Sequence, residues 1–214
     1  VEAFVHAGAM NDVKVSIRWV QSDNLDTKNV AQALSGVQGI LVAPGFGGRG
    51  IEGKMSAVQY AREQKIPFFG ICLGMQCAVI EYARNVCGLT EANSTEFDET
   101  TPHPIIDIMY DQKNIENMGG TMRLGKYNCS VIPNTFAYHA YGTNQVQERH
   151  RHRYEVNNEI RYVLSDNGLV FSGLNPERDL VEIIEIPEHP WFVGVQFHPE
   201  LRSTASHPQA LFVA

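Results

Sequence analysis

A cysteine framed by glycines constrains this chain more than any other feature: Gly70-Ile71-Cys72-Leu73-Gly74, directly after the apolar run Ile66-Pro67-Phe68-Phe69. The run reads as a buried strand, and a helical pattern over 75–86 follows at once. A strand that passes into a helix with no loop must turn sharply. Such a turn leaves no room for Cβ atoms beside the residue at its apex. Glycines two positions before and after Cys72 meet that demand, so the stretch reads as a nucleophile elbow carrying a thiol. The first N–H groups of the helix would favour a thiolate and, later, an oxyanion.

The elements around this turn predict an α/β fold. A short helix is expected over 1–9, an alternating strand over 13–20 and a short helix over 29–34. A buried strand over 39–43 ends in Pro44-Gly45-Phe46-Gly47-Gly48-Arg49-Gly50, a helix follows over 52–64, and the strand over 66–71 carries Cys72. Strands alternating with helices imply a mostly parallel central sheet with flanking helices, whose site lies outside the carboxyl ends of the strands. The second half predicts strands over 121–132, 148–156, 169–174, 181–186 and 191–197, which read as antiparallel additions. Residues 93–120 are the least regular and are expected to be a long surface loop. One domain spanning 1–214 fits the length. The missing initiator methionine and the abrupt end at Ala214 lead us to expect a fragment of a longer polypeptide.

Two strand ends supply the partners a thiol needs. His198-Pro199-Glu200 closes the apolar run 191–197. A carboxylate two residues from a histidine can fix the ring tautomer and stabilise the imidazolium, while the other ring nitrogen faces the thiol. Cys72, His198 and Glu200 are therefore the candidate catalytic triad. The glycine-rich loop lacks the order of a nucleotide-binding phosphate loop. A backbone oxyanion donor beside Cys72 and a plain flexible turn are its other readings. Pro44 has no N–H, so Gly45 is the donor expected from the loop, with Leu73 the second.

The run Glu148-Arg149-His150-Arg151-His152-Arg153-Tyr154-Glu155 is dense in charge. At strand period Arg149, Arg151 and Arg153 share one face, and His150 and His152 share the other. A solvated edge strand explains the pattern as well as an arginine forking onto a substrate carboxylate does, and spacing alone does not choose the arginine. No third ligand lies near His150 and His152, so no metal site is expected. Four cysteines, Cys72, Cys77, Cys87 and Cys129, fit no zinc spacing, and the last three read as packing residues. Free thiols in an acidic chain fit a reducing cytoplasm. A net charge of −7 argues against phosphate-driven nucleic-acid binding, and no apolar stretch is long enough for a membrane span.

Taken together these motifs resemble the class I, triad-type glutamine amidotransferases and, within them, the glutaminase domains of CTP synthases. Gly70-Ile71-Cys72-Leu73-Gly74-Met75-Gln76 and Gln196-Phe197-His198-Pro199-Glu200 carry the broad resemblance. Asn93-Ser94-Thr95-Glu96-Phe97, Gly119-Gly120-Thr121-Met122-Arg123-Leu124-Gly125 and the charged run through Asn157 carry the narrower one. The resemblance implies that Cys72 is the nucleophile, His198 the base and Glu200 its partner, and that Gly45 and Leu73 form the oxyanion hole. It also implies that Gly74, Met75 and Gln76 line the glutamine site, with Glu96 facing the α-amino group and Arg153 the α-carboxylate. Effector contact is expected at Phe46, Arg49 and Arg123.

No cofactor is expected in this domain. ATP, Mg2+ and UTP would belong to a synthetase domain of the same polypeptide, with GTP as allosteric activator and a homo-oligomer as the full enzyme. One departure is visible: the family often has Pro-Gly-Gly-Phe-Gly where this chain has Ala43-Pro44-Gly45-Phe46-Gly47. The competing readings are another class I amidotransferase, a γ-glutamyl hydrolase, and a catalytically silent regulatory module.

Overall fold

The computed structural model describes residues 1–108 and 122–214. Its centre is a seven-stranded sheet. In chain order the strands are β1 (Ile40–Val42), β2 (Phe68–Ile71), β5 (Arg123–Val131), β6 (Gln145–His152), β8 (Val170–Asn175), β9 (Leu180–Glu185) and β10 (Phe192–Val195), and in space they run β1-β2-β10-β9-β8-β5-β6. β1, β2 and β10 pair in parallel. From β10 outward every pairing is antiparallel. This is the expected parallel core with antiparallel additions.

A second sheet, β3 (Ala92–Ser94), β4 (His103–Ile108) and β7 (Tyr154–Val156), stands apart from the first. Helix α4 (Leu73–Asn85) packs against strands of both sheets. Every residue from Leu73 to Ala83 is buried, which is why the segment is apolar on nearly all sides. The polar exceptions are Gln76 and Glu81; Glu81 is 1% exposed and pairs with Arg62 of α3 (Ile51–Glu63) at 2.6 Å. Across the sheet, Phe69, Ile71, Val193 and Val195 form a second core with Phe212 of α7 (Ala210–Val213) and the aromatic residues of α5 (Phe136–Tyr141). β2 and β10 are thus covered on both faces, and each reads as an unbroken apolar run.

Several expectations are corrected. Residues 13–20 form no strand: they carry no regular secondary structure and are exposed, with Trp19 at 78%. Their alternation is real, but a strand also needs a ladder partner, and none exists among the described residues. The expected loop over 93–120 contains β3 and β4 instead; residues 109–120, and Thr121 of the strand expected over 121–132, lie outside the described residues. The strand expected over 148–156 is two strands, β6 and β7, which break at Arg153 and enter different sheets. Short helices α5, α6 (Arg161–Asp166) and α7 fall where none was expected.

Candidate active site

Cys72 sits at the junction of β2 and α4 with φ 51° and ψ −104°. A side chain in this region of φ is strained and needs a surrounding structure that enforces it. Two features enforce it here. The Cys72 N–H donates to Val195 O at 2.7 Å, extending the β2–β10 ladder by one rung. The helix then turns away at once, which brings main chain onto main chain. A Cβ on Gly70 would lie 2.8 Å from the Gly74 carbonyl, and one on Gly74 would overlap the Val42 carbonyl. The glycine frame is therefore steric, as the sequence implied.

The loop after β1 lies beside this turn. A Cβ on Gly45 would sit 3.1 Å from Leu73 Cδ2, so the two expected oxyanion donors belong to neighbouring residues. Further along, the Gly47 N–H donates to Glu96 Oε1 at 2.8 Å. Phe46 is 91% exposed, and Arg49 reaches outward to pair with Asp23 at 2.6 Å.

β10 runs parallel to β2, so the residues that follow the two strands meet at one edge. His198 Nδ1 lies 2.8 Å from Glu200 Oε1. The Pro199–Arg202 turn begins with the proline, which pre-sets its first φ and places Glu200 in the first turn. The His198 N–H donates to Arg149 O at 2.7 Å, so edge strand β6 holds the histidine main chain. Burial alone would lower the His198 pKa, but the Cys72 side chain and Glu200 outweigh it and raise the value to about 10. His198 Nε2 makes no hydrogen bond within ordinary limits, so the pull from Cys72 is that of a close approach.

Tyr154 gathers the remaining expected residues. Its carbonyl accepts from Gln76 Nε2 at 3.0 Å, and burial, together with Glu96, Glu99 and Asp107 and opposed by Arg153, raises its hydroxyl above the usual tyrosine range. Gln76 is 3% exposed, while Glu96 and Arg153 are half-buried. Gly74 and Met75 lie in the first turn of α4.

Arg123, expected at an effector contact, lies in β5 within the strand expected over 121–132 and is only 2% exposed. Its guanidinium spans Glu155 at 3.0 Å and Glu182 at 2.8 Å, under the Tyr127 ring. His150 and His152 point into the same cluster, their rings 2.8 Å apart from Nδ1 to Nε2. Burial and the nearby Arg123 push both well below the usual histidine range, so they are neutral. Among the described residues no group of side chains could hold a metal ion.

Cys77, Cys87 and Cys129 are all raised by burial, Cys77 to about 12, as fits inert thiols. Sequence reasoning gave no role to Gln196, whose amide reaches Cys72 Sγ at 3.7 Å. Its signals were a polar residue inside the apolar run 191–197 and its place at the head of the motif that ends at Glu200.

The glutamine amidotransferase class-I family model matches residues 1–214. The chain belongs to that family. Within the family it groups with CTP synthases. It is 58% identical over 216 residues to the CTP synthase of Chloroherpeton thalassium, covering 100% of this chain and 39% of that protein. It is 59% identical over 212 residues to that of Caldanaerobacter subterraneus, covering 99% and 40% respectively. The glutaminase domain of Trypanosoma brucei CTPS with bound acivicin superposes with a TM-score of 0.93 at 39% identity, covering 99% of this chain and 83% of that one. This glutamine amidotransferase spans about two-fifths of the curated relatives it matches. Among the described residues no helix is long and apolar enough to cross a membrane.

Proposed function

We propose that this amidotransferase domain hydrolyses L-glutamine to glutamate and ammonia through Cys72, His198 and Glu200. The observation that carries the reading is the single edge where β2 delivers Cys72 and β10 delivers a histidine already bonded to a carboxylate at 2.8 Å. The Cys72 thiolate attacks the side-chain amide carbon of glutamine. The Gly45 and Leu73 N–H groups receive the negative charge that develops on the carbonyl oxygen. His198 holds the thiol proton and passes it to the nitrogen as the C–N bond breaks, leaving a γ-glutamyl thioester. Water, deprotonated by His198, releases glutamate and restores the thiol.

Substrate recognition needs one anion and one cation at fixed places, because the α-amino acid end is zwitterionic. We assign Glu96 to the amino group and Arg153 to the carboxylate, with Gly74, Met75 and Gln76 lining the site.

The similarity to CTP synthases supports a role for the ammonia. In the full-length protein a synthetase domain would use ATP and Mg2+ to aminate UTP to CTP, with GTP as activator. Phe46 and Arg49 are the exposed loop residues left for effector contact once Arg123 is withdrawn. The test is CTP formation by the full-length protein supplied with glutamine or with ammonia. Cys72→Ala should abolish the glutamine-dependent reaction and spare the ammonia-dependent one. Equal loss of both, or loss of neither, would overturn the assignment.

A further inference from the structure

We propose that Gln196 is a further catalytic residue: its side-chain amide donates a hydrogen bond to the Cys72 sulfur and stabilises the thiolate. This deepens, and rests on, the reading of Cys72 as nucleophile. Gln196 follows β10 directly and is 0% exposed, between Val195 and Phe197 in the core. Burying a primary amide is costly unless its donors and acceptor are used. Its Nε2 lies 3.7 Å from Cys72 Sγ, and its main-chain N–H donates to Glu182 O at 2.9 Å.

The orientation of the amide follows from chemistry. A main-chain carbonyl can only accept, so the group that faces Tyr154 O at 3.0 Å must be the NH2 of Gln76. The same NH2 lies 3.2 Å from the Gln196 side chain, which must therefore present its oxygen. The NH2 of Gln196 is then left facing sulfur. His152 Nδ1 lies 3.3 Å from the same Tyr154 carbonyl, a second donor that keeps the carbonyl in the accepting role. The main chain of β7 thus sets Gln76, Gln76 sets Gln196, and Gln196 aims a donor at the nucleophile. Donors to an ionised acceptor form the stronger class of hydrogen bond, so the amide favours the thiolate over the thiol.

Other titratable groups act on the Cys72–His198 pair: Glu200 after β10, and His150 and His152 on β6, which are themselves influenced by Arg123 of β5. Exchanging Gln196 for methionine alters none of them and nearly preserves the side-chain shape. The experiment is alkylation of Cys72 by iodoacetamide as a function of pH, read by peptide mass spectrometry. It is run on the unaltered protein, Gln196→Met and Gln76→Met. We expect the midpoint of the Cys72 profile to rise by about one pH unit in Gln196→Met, equivalent to a tenfold lower thiolate fraction below the midpoint.

A smaller rise is expected in Gln76→Met, where the Gln196 amide is free to turn. The high-pH plateau should stay unchanged in both. An unmoved midpoint in Gln196→Met, with Cys72 still reactive and protected by glutamine, overturns the proposal alone. A Cys72 that is inert in the unaltered protein overturns the nucleophile assignment as well. If Gln196→Met unfolds, shown by alkylation of buried Cys77 and Cys129, Gln76→Met carries the test, and an unmoved midpoint there overturns the proposal.

Discussion

Glu96 Oε1 accepts the Gly47 N–H at 2.8 Å, so the carboxylate assigned to the substrate's α-amino group also pins the loop that carries Gly45. On the proposed assignments, binding and oxyanion stabilisation share one side chain. Glu96→Gln keeps an acceptor for Gly47 but removes the charge. It should raise KM roughly tenfold to a hundredfold with little change in kcat. Glu96→Ala releases the loop as well and should lower kcat in addition. Steady-state glutaminase kinetics on the two variants separates these effects.

His198 and Glu200 make a prediction about pH. His198 is raised in the folded protein to about 10, above the roughly 6.5 of an unfolded histidine. The folded state therefore holds the proton more tightly. The stabilisation is fully present below about pH 6.5 and is lost as pH rises through the folded value. Glu200→Gln removes one of the raising interactions, so the loss still begins near pH 6.5 but is complete at a lower pH and is smaller in total. Melting temperature followed from pH 6 to 10 should therefore level off at a lower pH in the variant. Turnover should fall about a hundredfold, the scale of a disabled general acid–base group.

The buried Arg123 cluster makes a prediction about stability. Arg123→Met leaves Glu155 and Glu182 buried without their cation and should cost about 3–5 kcal/mol at neutral pH. Burial raises both carboxyls despite Arg123, so the folded state binds protons more readily than the unfolded one. Their contribution to stability therefore falls as pH rises from the ordinary carboxylate range upward. Removing Arg123 raises them further, so the deficit should grow with pH. Denaturant unfolding at pH 5 and pH 8 should show the larger gap at pH 8.

Gly74 has no space for a methyl group, because its Cβ would overlap the Val42 carbonyl of β1. Gly74→Ala must push α4 off the sheet and should destabilise the fold by at least about 1–3 kcal/mol. Since α4 begins one residue after Cys72, glutamine turnover should fall with it. Thermal unfolding and turnover measured on one preparation check both.

What the sequence made legible was local. The elbow, its glycine frame and the His198–Glu200 pair each lie within five residues, and their geometry follows from steric rules. The alternation of β6 was legible too: Arg149 and Arg151 are exposed, while His150 and His152 are buried. What faces those histidines was not. Arg123 meets Glu155 and Glu182 across 32 and 59 residues of chain, and no period reports such a meeting. The alternation over 13–20 was a false sign of a strand, since a side-chain period carries no information about ladder partners. Gln196 was hidden for a related reason: its partners Cys72 and Gln76 lie 124 and 120 residues away.

Covalent capture tests the central claim most directly. The protein is incubated with a diazoketone analogue of glutamine, and the added mass is mapped by peptide mass spectrometry beside Arg153→Ala and His198→Ala. The account predicts a label on Cys72 alone, prevented by glutamine and weakened in both variants. An unlabelled Cys72, or label spread over Cys72, Cys77, Cys87 and Cys129 without regard to glutamine, would contradict it.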